Sequence, residues 1–187
     1  MNIILFGPPG AGKGTQSKYL VDKLKNFQIS TGDILRKEIQ NNSDIGQQII
    51  NNMNEGKFVK DEIVNTLIEK LIYDPLKKDK FIFDGYPRSL SQAKYLDLLL
   101  VKSGQKIDHI FFLNVNKDTI IERIEKRKIL ENRSDDDTDT ILKRYDTYML
   151  TTKPVLDYYS KNPNFHEING TQEIDEITRE IEAFINV

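Results

Sequence analysis

The sequence predicts an α/β protein with a parallel sheet covered by helices on both faces, a three-layer α/β/α arrangement. Short apolar segments alternate with longer segments of helical periodicity along the 187 residues, which is the pattern of strands joined by helical crossovers. Strands buried on both faces read as continuous apolar runs rather than as alternating ones. Because the carboxyl ends of parallel strands meet at one edge of the sheet, we expect ligands to bind there.

Five apolar runs are expected to form the strands, in the order Ile3–Phe6, Phe27–Ile29, Lys80–Asp84, His109–Val115 and Phe165–Ile168. Apolar residues at helical spacing predict helices at Thr15–Lys25 and at residues 31–41, 44–53, 60–72, 90–102, 117–128, 135–160 and 173–185. Residues 30–59 contain helices with no strand between them, so we expect a flap beside the core. Residues 128–134, KILENRS, interrupt two helical patterns and are expected to be a short connection.

The composition is that of one soluble globular domain. Hydrophobic residues make up 38% and charged residues 30% of the chain, and the formal net charge is −2. This charge argues against a long nucleic-acid partner, and the apolar runs are too short to span a bilayer. The chain has no cysteine, which excludes disulfides, thiolate metal sites and cysteine nucleophiles. The lack of cysteine fits a reducing compartment, and the start of the sequence shows no secretory pattern. We therefore expect a cytoplasmic protein.

The segment GPPGAGKGTQ, residues 7–16, predicts a phosphate-binding loop. Its pattern G-x-x-x-x-G-K falls at Gly7, Gly12 and Lys13, directly after a predicted strand and before a predicted helix. Glycines let the backbone turn so that successive N–H groups face an anion, and the helix adds the positive end of its dipole. The alternative is a glycine-rich turn that binds nothing, but it leaves the position of the lysine unexplained.

A magnesium site is expected beside this loop. Asp84 ends a predicted strand, so its carboxylate should emerge at the ligand edge of the sheet, where it would hold a metal-bound water. Lys13 is followed by Gly14 rather than by serine or threonine, and the first hydroxyl belongs to Thr15. Thr15 is therefore the second candidate for the metal. From local sequence alone, Asp84 before Gly85 is equally typical of a turn.

Three segments in order carry a family resemblance. GPPGAGKGTQ resembles the loop of nucleoside monophosphate kinases, and ISTGDILR (Ile29–Arg36) and FDGYPRSLSQA (Phe83–Ala93) are similar to two further signatures of adenylate kinases. The resemblance covers nearly the whole chain. It implies a P-loop fold with a core at residues 1–29, 60–127 and 135–187, a nucleoside-monophosphate-binding flap at 30–59, and a lid of the short kind at 128–134.

The resemblance also implies the reaction ATP·Mg²⁺ + AMP ⇌ 2 ADP, a monomer, and no structural zinc, because the long zinc-binding lid of many relatives is missing. It implies a cis bond between Tyr86 and Pro87. The implied catalytic residues are Lys13, Arg88, Arg123, Arg127, Arg133 and Arg144. The implied ATP-binding residues are Gly10, Ala11, Gly12, Lys13, Gly14, Thr15, Arg123, Arg127, Arg133, Gly170 and Gln172.

The acceptor site implied by the resemblance holds AMP, and Asp135 and Asp136 orient the arginines of the lid. The implied AMP-binding residues are Thr31, Gly32, Arg36, Lys57, Val59, Val64, Gly85, Arg88, Gln92, Arg133 and Arg144. A guanidinium fork suits the acceptor phosphate, and the side-chain amide of Gln92 suits an adenine edge.

Other interpretations stay open for several of these residues. Val64 is equally typical of a helix packing on its neighbour, and the segment RIEKRK (123–128) of a solvated helix face. Residues 133–139, RSDDDTD, also fit a plain helix start with Ser134 as N-cap. The segment NGTQ (169–172) is equally typical of a plain turn, and Gln172 stands where relatives often have lysine.

Two rival functions remain. The first is a kinase for UMP or CMP, although Thr31 and Gln92 are residues of the adenine type. The second is a nucleotide-switched, GTPase-like binding module, which needs an Asn-Lys-x-Asp element to read guanine. The segment NVNKD (114–118) approaches that element but lacks the intervening residue.

Overall fold

The fold was analysed in a computed structural model that describes residues 1–131 and 138–186, with the side chains of 1–126 and 139–186. One five-stranded sheet has the order β2–β3–β1–β4–β5, and every strand pair is parallel. The strands are β1 (Ile3–Phe6), β2 (Phe27–Ser30), β3 (Phe81–Asp84), β4 (His109–Asn114) and β5 (Phe165–Asn169). The predicted parallel sheet and all five strands are thus confirmed, with boundaries shifted by one residue at most.

The helices lie between and after these strands. They are α1 (Lys13–Leu24), α2 (Thr31–Gln40), α3 (Asp44–Asn54), α4 (Asp61–Ile72), α5 (Leu90–Lys102), α6 (Lys117–Glu131), α7 (Thr138–Thr151), α8 (Lys153–Tyr159) and α9 (Ile174–Ile185), with a 3₁₀ turn at Pro75–Lys77. None of the helices in the described residues has the length and apolar character needed to cross a bilayer.

The sheet separates two apolar cores, as a three-layer α/β/α fold requires. Side chains of a strand alternate between its faces, so Ile4 and Phe6 of the central strand pack into one core and Ile3 and Leu5 into the other. The first core contains buried residues of α4, α5 and α8, and the second contains those of α1, α6 and α9. All four side chains are at most 3% exposed, which explains why β1 reads as an unbroken apolar run.

Residues 31–54 form two helices without an intervening strand, as predicted. Helices α2 and α3 approach each other at Gly46, where an added Cβ would lie 2.2 Å from the carbonyl oxygen of Glu38. No side chain fits in that gap, so the glycine allows the two backbones to pack directly against each other.

Two predictions about helix boundaries were wrong. A single helix was expected over residues 135–160, but the chain breaks at Thr152 between α7 and α8. Pro154 lies in the first turn of α8, where its missing N–H costs nothing, whereas the same proline inside a continuous helix would break it. Helix α6 was expected to end at residue 128 but continues to Glu131, because residues 128–131 contain no glycine or proline to end it.

The two histidines, His109 and His166, belong to an aromatic cluster at the β4–β5 edge of the sheet. The ring of His166 stacks on Phe184 with centroids 3.9 Å apart, and the rings of His109 and His166 are 5.8 Å apart. Burial lowers the pKa of His109 below its usual 6.5, with a smaller contribution from His166, and burial also lowers the pKa of His166.

This cluster predicts that the protein loses stability as the pH falls through about 6.5. A histidine with a lowered folded-state pKa leaves stability unaffected well above pH 6.5, where both states are neutral. Below that pH the unfolded chain takes up the proton first, so unfolding becomes more favourable. Thermal unfolding should show a smaller decrease in Tm between pH 7.5 and 5.5 in a His166→Phe variant, which keeps the stacking but cannot titrate. An equal decrease in both proteins would contradict this assignment.

Candidate active site

The predicted phosphate-binding loop joins β1 to α1 at the carboxyl edge of the sheet. Lys13 Nζ donates hydrogen bonds to the carbonyl oxygens of Gly7 at 2.8 Å and of Pro8 at 2.9 Å, so the ammonium group lies within the loop. Gly12 has φ +93° and immediately precedes the helix. It brings no side chain to cap the first N–H groups of α1, which suits a helix end that binds an anion.

The carboxylate of Asp84 lies next to this loop, as predicted. An added Cβ on Gly14 would be 3.8 Å from Asp84 Oδ2, and Gln28 Nε2 donates to the same oxygen at 3.0 Å. The register of the sheet explains this position, because Asp84 pairs with Leu5 one residue before the end of β1. Thr15 is exposed at the start of α1. Among the described residues, no group of three or more His, Cys, Asp or Glu side chains is arranged to hold a metal.

A second group of polar residues surrounds the turn after β3. Gly85 carbonyl oxygen accepts hydrogen bonds from Thr31 Oγ1 at 2.8 Å and from Arg88 Nε at 2.7 Å. Gly85 has φ +74°, and a Cβ at this position would lie 2.8 Å from Arg88 Nη2. A side chain here would therefore be strained and would also displace the guanidinium group. The bond between Tyr86 and Pro87 is cis, as predicted.

Arg36 lies close to the same turn. A Cβ on Gly32 would be 3.0 Å from Arg36 Nη2, and Arg36 pairs with Asp33 at 2.5 Å. Since Thr31 contacts Gly85, the start of α2 brings Arg36 and Arg88 to neighbouring positions at the sheet edge. The rest of the predicted acceptor set is more dispersed. Lys57 is exposed and pairs with Glu55 at 2.6 Å.

A cleft of about 430 Å³, measured with its solvent-open part, joins the loop lysine to Arg88. Its walls are Leu5, Phe6, Gly7, Pro9, Lys13, Phe58, Gly85, Pro87, Arg88, Arg144, Tyr148 and Thr152. Three of the predicted catalytic residues therefore meet in one cleft. Val59, Val64 and Gln92 do not line the cleft and are at most 7% exposed.

Three features of the cleft were not predicted from the sequence. Phe58 lies against the guanidinium of Arg88, 5.2 Å from ring centroid to Cζ. Burial raises the pKa of the Tyr148 phenol, and its hydroxyl has no hydrogen-bond partner among the residues that the structure describes. Thr152 Oγ1 donates to the carbonyl oxygen of Arg88 at 3.0 Å. Thr152, the residue at which α7 and α8 are separated, thus holds the backbone of the loop that carries Arg88.

Arg123 connects two parts of the predicted ATP side. Its guanidinium lies 3.5 Å from the carbonyl oxygen of Ala11 and 3.4 Å from that of Gln172. Gly170 packs against the end of β4 and the residue after it, because an added Cβ would lie 3.2 Å from the carbonyl oxygen of Asn114 and 2.5 Å from Val115 Cγ2. The NGTQ turn and the phosphate-binding loop are therefore neighbours, and only glycine fits at residue 170.

The remaining predicted residues come from the end of α6 and from α7. Arg144 lines the cleft and contacts the segment after α3, because a Cβ on Gly56 would be 3.1 Å from Arg144 Cγ. Arg127 lies on the described backbone of α6, but its side chain lies outside the described part. Arg133, Asp135 and Asp136 also fall outside the described residues. Their roles stay predictions.

A partly buried hydrogen-bond network around Gln92, next to Arg88 of the cleft, was also not predicted from the sequence. Gln92 Nε2 donates to Asp61 Oδ1 at 2.6 Å, and Gln92 Oε1 accepts from the backbone N–H of Arg88 at 2.7 Å. Asp61 Oδ2 accepts from Ser89 Oγ at 2.7 Å and from Ser91 Oγ. In the sequence, Asp61 is typical of the acidic first turn of a helix, and nothing local indicates its contact with Gln92, which is 31 residues away.

Comparison with known proteins identifies the family. The family model described as adenylate kinase matches residues 5–164. An adenylate kinase of Pelagibacter ubique is 46% identical over 213 aligned positions that cover all of both chains. One of Fusobacterium nucleatum is 41% identical over 97% of this chain and 96% of its own. One of Caulobacter sp. strain K31 is 41% identical over 187 positions, which cover 100% of this chain and 99% of its own. The chain therefore belongs to the adenylate kinase family.

Proposed function

We propose that this chain catalyses the reversible transfer of the γ-phosphoryl group of ATP to AMP, giving two ADP. The observation that carries the proposal is a single cleft lined by both Lys13 of the phosphate-binding loop and Arg88 of the turn after β3. Phosphoryl transfer depends chiefly on in-line placement and on positive charge around the transferred group. Two cationic anchors facing one cleft supply both requirements for a pair of nucleotides that meet at their phosphates.

The donor nucleotide is held by the loop at residues 10–15. Backbone N–H groups at the start of α1 and the ammonium group of Lys13 bind its phosphates. The adenine of the donor lies near Gly170 and Gln172, since Arg123 connects that turn to the loop. Arg127, Arg133 and Arg144 complete the positive surroundings of the transferred group, and Asp135 and Asp136 orient the lid arginines.

The acceptor AMP binds at the turn after β3. Arg88 and Arg36 grip its phosphate, and Thr31, Gly32 and Gly85 provide the space for those guanidinium groups. Lys57, Val59, Val64 and Gln92 lie toward its base. Because Gln92 is 3% exposed, a base that reaches its amide requires a local rearrangement of the cleft wall.

Transfer requires no covalent enzyme intermediate and no general base. An oxygen of the AMP phosphate is already anionic and forms the new bond to the γ-phosphorus, while the bond from that phosphorus to the β,γ-bridging oxygen breaks and ADP leaves. Closure of the flap (30–59) and of the lid (128–134) excludes water, which would otherwise accept the phosphoryl group.

The residues beside the loop fit a magnesium ion. Mg²⁺ takes oxygen ligands and binds through one or two carboxylates together with substrate phosphates and water. The Asp84 carboxylate, adjacent to Gly14 of the loop, would hold such an ion through a metal-bound water, with Thr15 as the second candidate. When bound with ATP, the ion neutralises phosphate charge that develops during transfer.

The experiment is a coupled assay with ATP, Mg²⁺ and a panel of monophosphate acceptors. We expect AMP to be used far better than UMP or CMP, and the appearance of ADP to require both substrates. Equal use of UMP would favour the pyrimidine kinase. Slow GTP hydrolysis without any monophosphate would favour the switch module. The structure gives Asn116 of the NVNKD segment another contact, because its Oδ1 accepts from Thr119 N–H at 2.9 Å in the first turn of α6. A monomer in the cytoplasm without nucleic-acid or membrane partners stays a prediction.

A further inference from the structure

We propose that Asp61 is the positioning residue that makes the acceptor site select a 6-amino purine over a 6-oxo purine. The inference rests on the proposed function and deepens it, because it assigns to a residue outside the predicted site the orientation of the amide that reads the acceptor base. Two hydrogen bonds hold the side chain of Gln92 in place.

These two bonds leave only one orientation for the Gln92 amide. Oε1 faces the backbone N–H of Arg88 at 2.7 Å, and Nε2 faces Asp61 Oδ1 at 2.6 Å. A backbone N–H only donates and a carboxylate only accepts. Rotating the amide by half a turn would place two acceptors against each other at Asp61 and two donors against each other at Arg88. Both hydrogen bonds would be lost in a buried site, where unpaired polar groups are costly.

Asp61 is itself fixed in place. Its second oxygen accepts from Ser89 Oγ at 2.7 Å and from Ser91 Oγ. Ser89 also caps α5, because its hydroxyl oxygen accepts from the N–H of Gln92 at 3.2 Å. The carboxylate thereby ties the first turn of α4 to the first turn of α5, and it cannot turn away from Gln92 without giving up these contacts.

The fixed amide presents a defined pair of hydrogen-bonding positions to a base. Each end keeps one further hydrogen-bonding position, an acceptor position on Oε1 and a donor position on Nε2. Adenine offers a 6-amino donor beside the acceptor N1, which matches this pattern. A 6-oxo purine offers the opposite order, an acceptor oxygen beside an N1–H donor, and only the rotated amide would match it. A site built around such hydrogen bonds rejects the mismatched analogue strongly.

The test compares AMP with inosine monophosphate, which differs in having the 6-oxo group and the N1–H. In an Asp61→Asn variant, the new amide can donate to a rotated Gln92 Oε1, so one of the two obstacles to rotation disappears. We expect the ratio of kcat/KM for AMP to that for inosine monophosphate to fall about tenfold or more, the scale of one charge-assisted hydrogen bond. The KM for AMP should rise, and the KM for ATP should stay unchanged.

Glu62→Gln is the matched control. Glu62 is the exposed neighbour in the same first turn of α4, so this substitution removes the same charge from the same helix end without touching the amide. In this control the ratio of kcat/KM for AMP to that for inosine monophosphate should stay at the wild-type value. Ser91→Ala, an exposed change that removes one of the hydroxyls on Asp61, should lower the ratio by a smaller factor, and it keeps the test valid if Asp61→Asn does not fold.

The outcomes separate this inference from the proposed function. If Asp61 only joins two helices, both substrates lose activity equally and the ratio is unchanged, which overturns the inference while leaving AMP as the acceptor. If the wild-type protein does not phosphorylate AMP at all, the proposed function fails first. A fall in the ratio with Asp61→Asn but not with Glu62→Gln supports the inference.

Discussion

A Lys13→Met variant is expected to lose phosphoryl transfer by about 10³-fold or more while keeping its fold. Methionine has a similar length but no charge, so the loop would lose the ammonium group that lies between the carbonyl oxygens of Gly7 and Pro8. Positive charge placed in advance around the phosphates contributes mainly to the transition state, so kcat should fall more than the KM for either nucleotide rises. The coupled assay with ATP and AMP measures both quantities.

Lys18→Met is the matched control for this prediction. Lys18 is exposed on the same helix, α1, and its substitution removes the same charge outside the cleft. We expect wild-type turnover from it and similar thermal unfolding of both variants. Turnover of Lys13→Met within a few fold of the wild type would mean that the loop does not hold the transferred phosphates.

The second large effect is expected for Arg88→Ala, with a fall in kcat/KM for AMP on the order of 10³-fold. The variant removes the guanidinium that borders the cleft and donates to the carbonyl oxygen of Gly85. The KM for ATP should hardly change, because in the proposed arrangement the ATP phosphates bind at the loop that carries Lys13 and not at Arg88. Arg88→Lys restores the charge but not the planar fork, so it should recover only part of the activity.

Arg179→Ala provides the control, since Arg179 is exposed on α9 and its Nε donates to the carbonyl oxygen of Asp175 in the same helix. It should behave like the wild type. An Arg88→Ala protein whose KM for AMP and kcat are both unchanged would place the acceptor phosphate elsewhere.

Local sequence was sufficient for the sheet and for the donor loop. The strand Ile3–Phe6 is apolar because both of its faces are buried, and the glycines of the loop are required by the turn itself, as the positive φ of Gly12 shows. Such features depend on residues close in the chain. The same holds for Asp84, whose position at the end of a strand predicted its place at the ligand edge.

Contacts between distant residues explain what was missed. The bond from Thr152 to Arg88 spans 64 residues, and that from Gln92 to Asp61 spans 31. No spacing rule along the chain connects such pairs, so neither the contact of Thr152 with Arg88 nor that of Asp61 with Gln92 was predicted. Phe58 was overlooked for the same reason, because only the fold brings its ring to the guanidinium of Arg88.

The central claim is that two nucleotides bind head to head across the cleft between Lys13 and Arg88. Isothermal titration calorimetry with a non-hydrolysable ATP analogue, with AMP, and with two adenosines joined by five phosphates tests it most directly. We predict one ATP analogue and one AMP per chain, each bound in the presence of the other, and one joined molecule per chain that displaces both. A single adenine nucleotide per chain at saturation, with no heat from AMP, would contradict the claim.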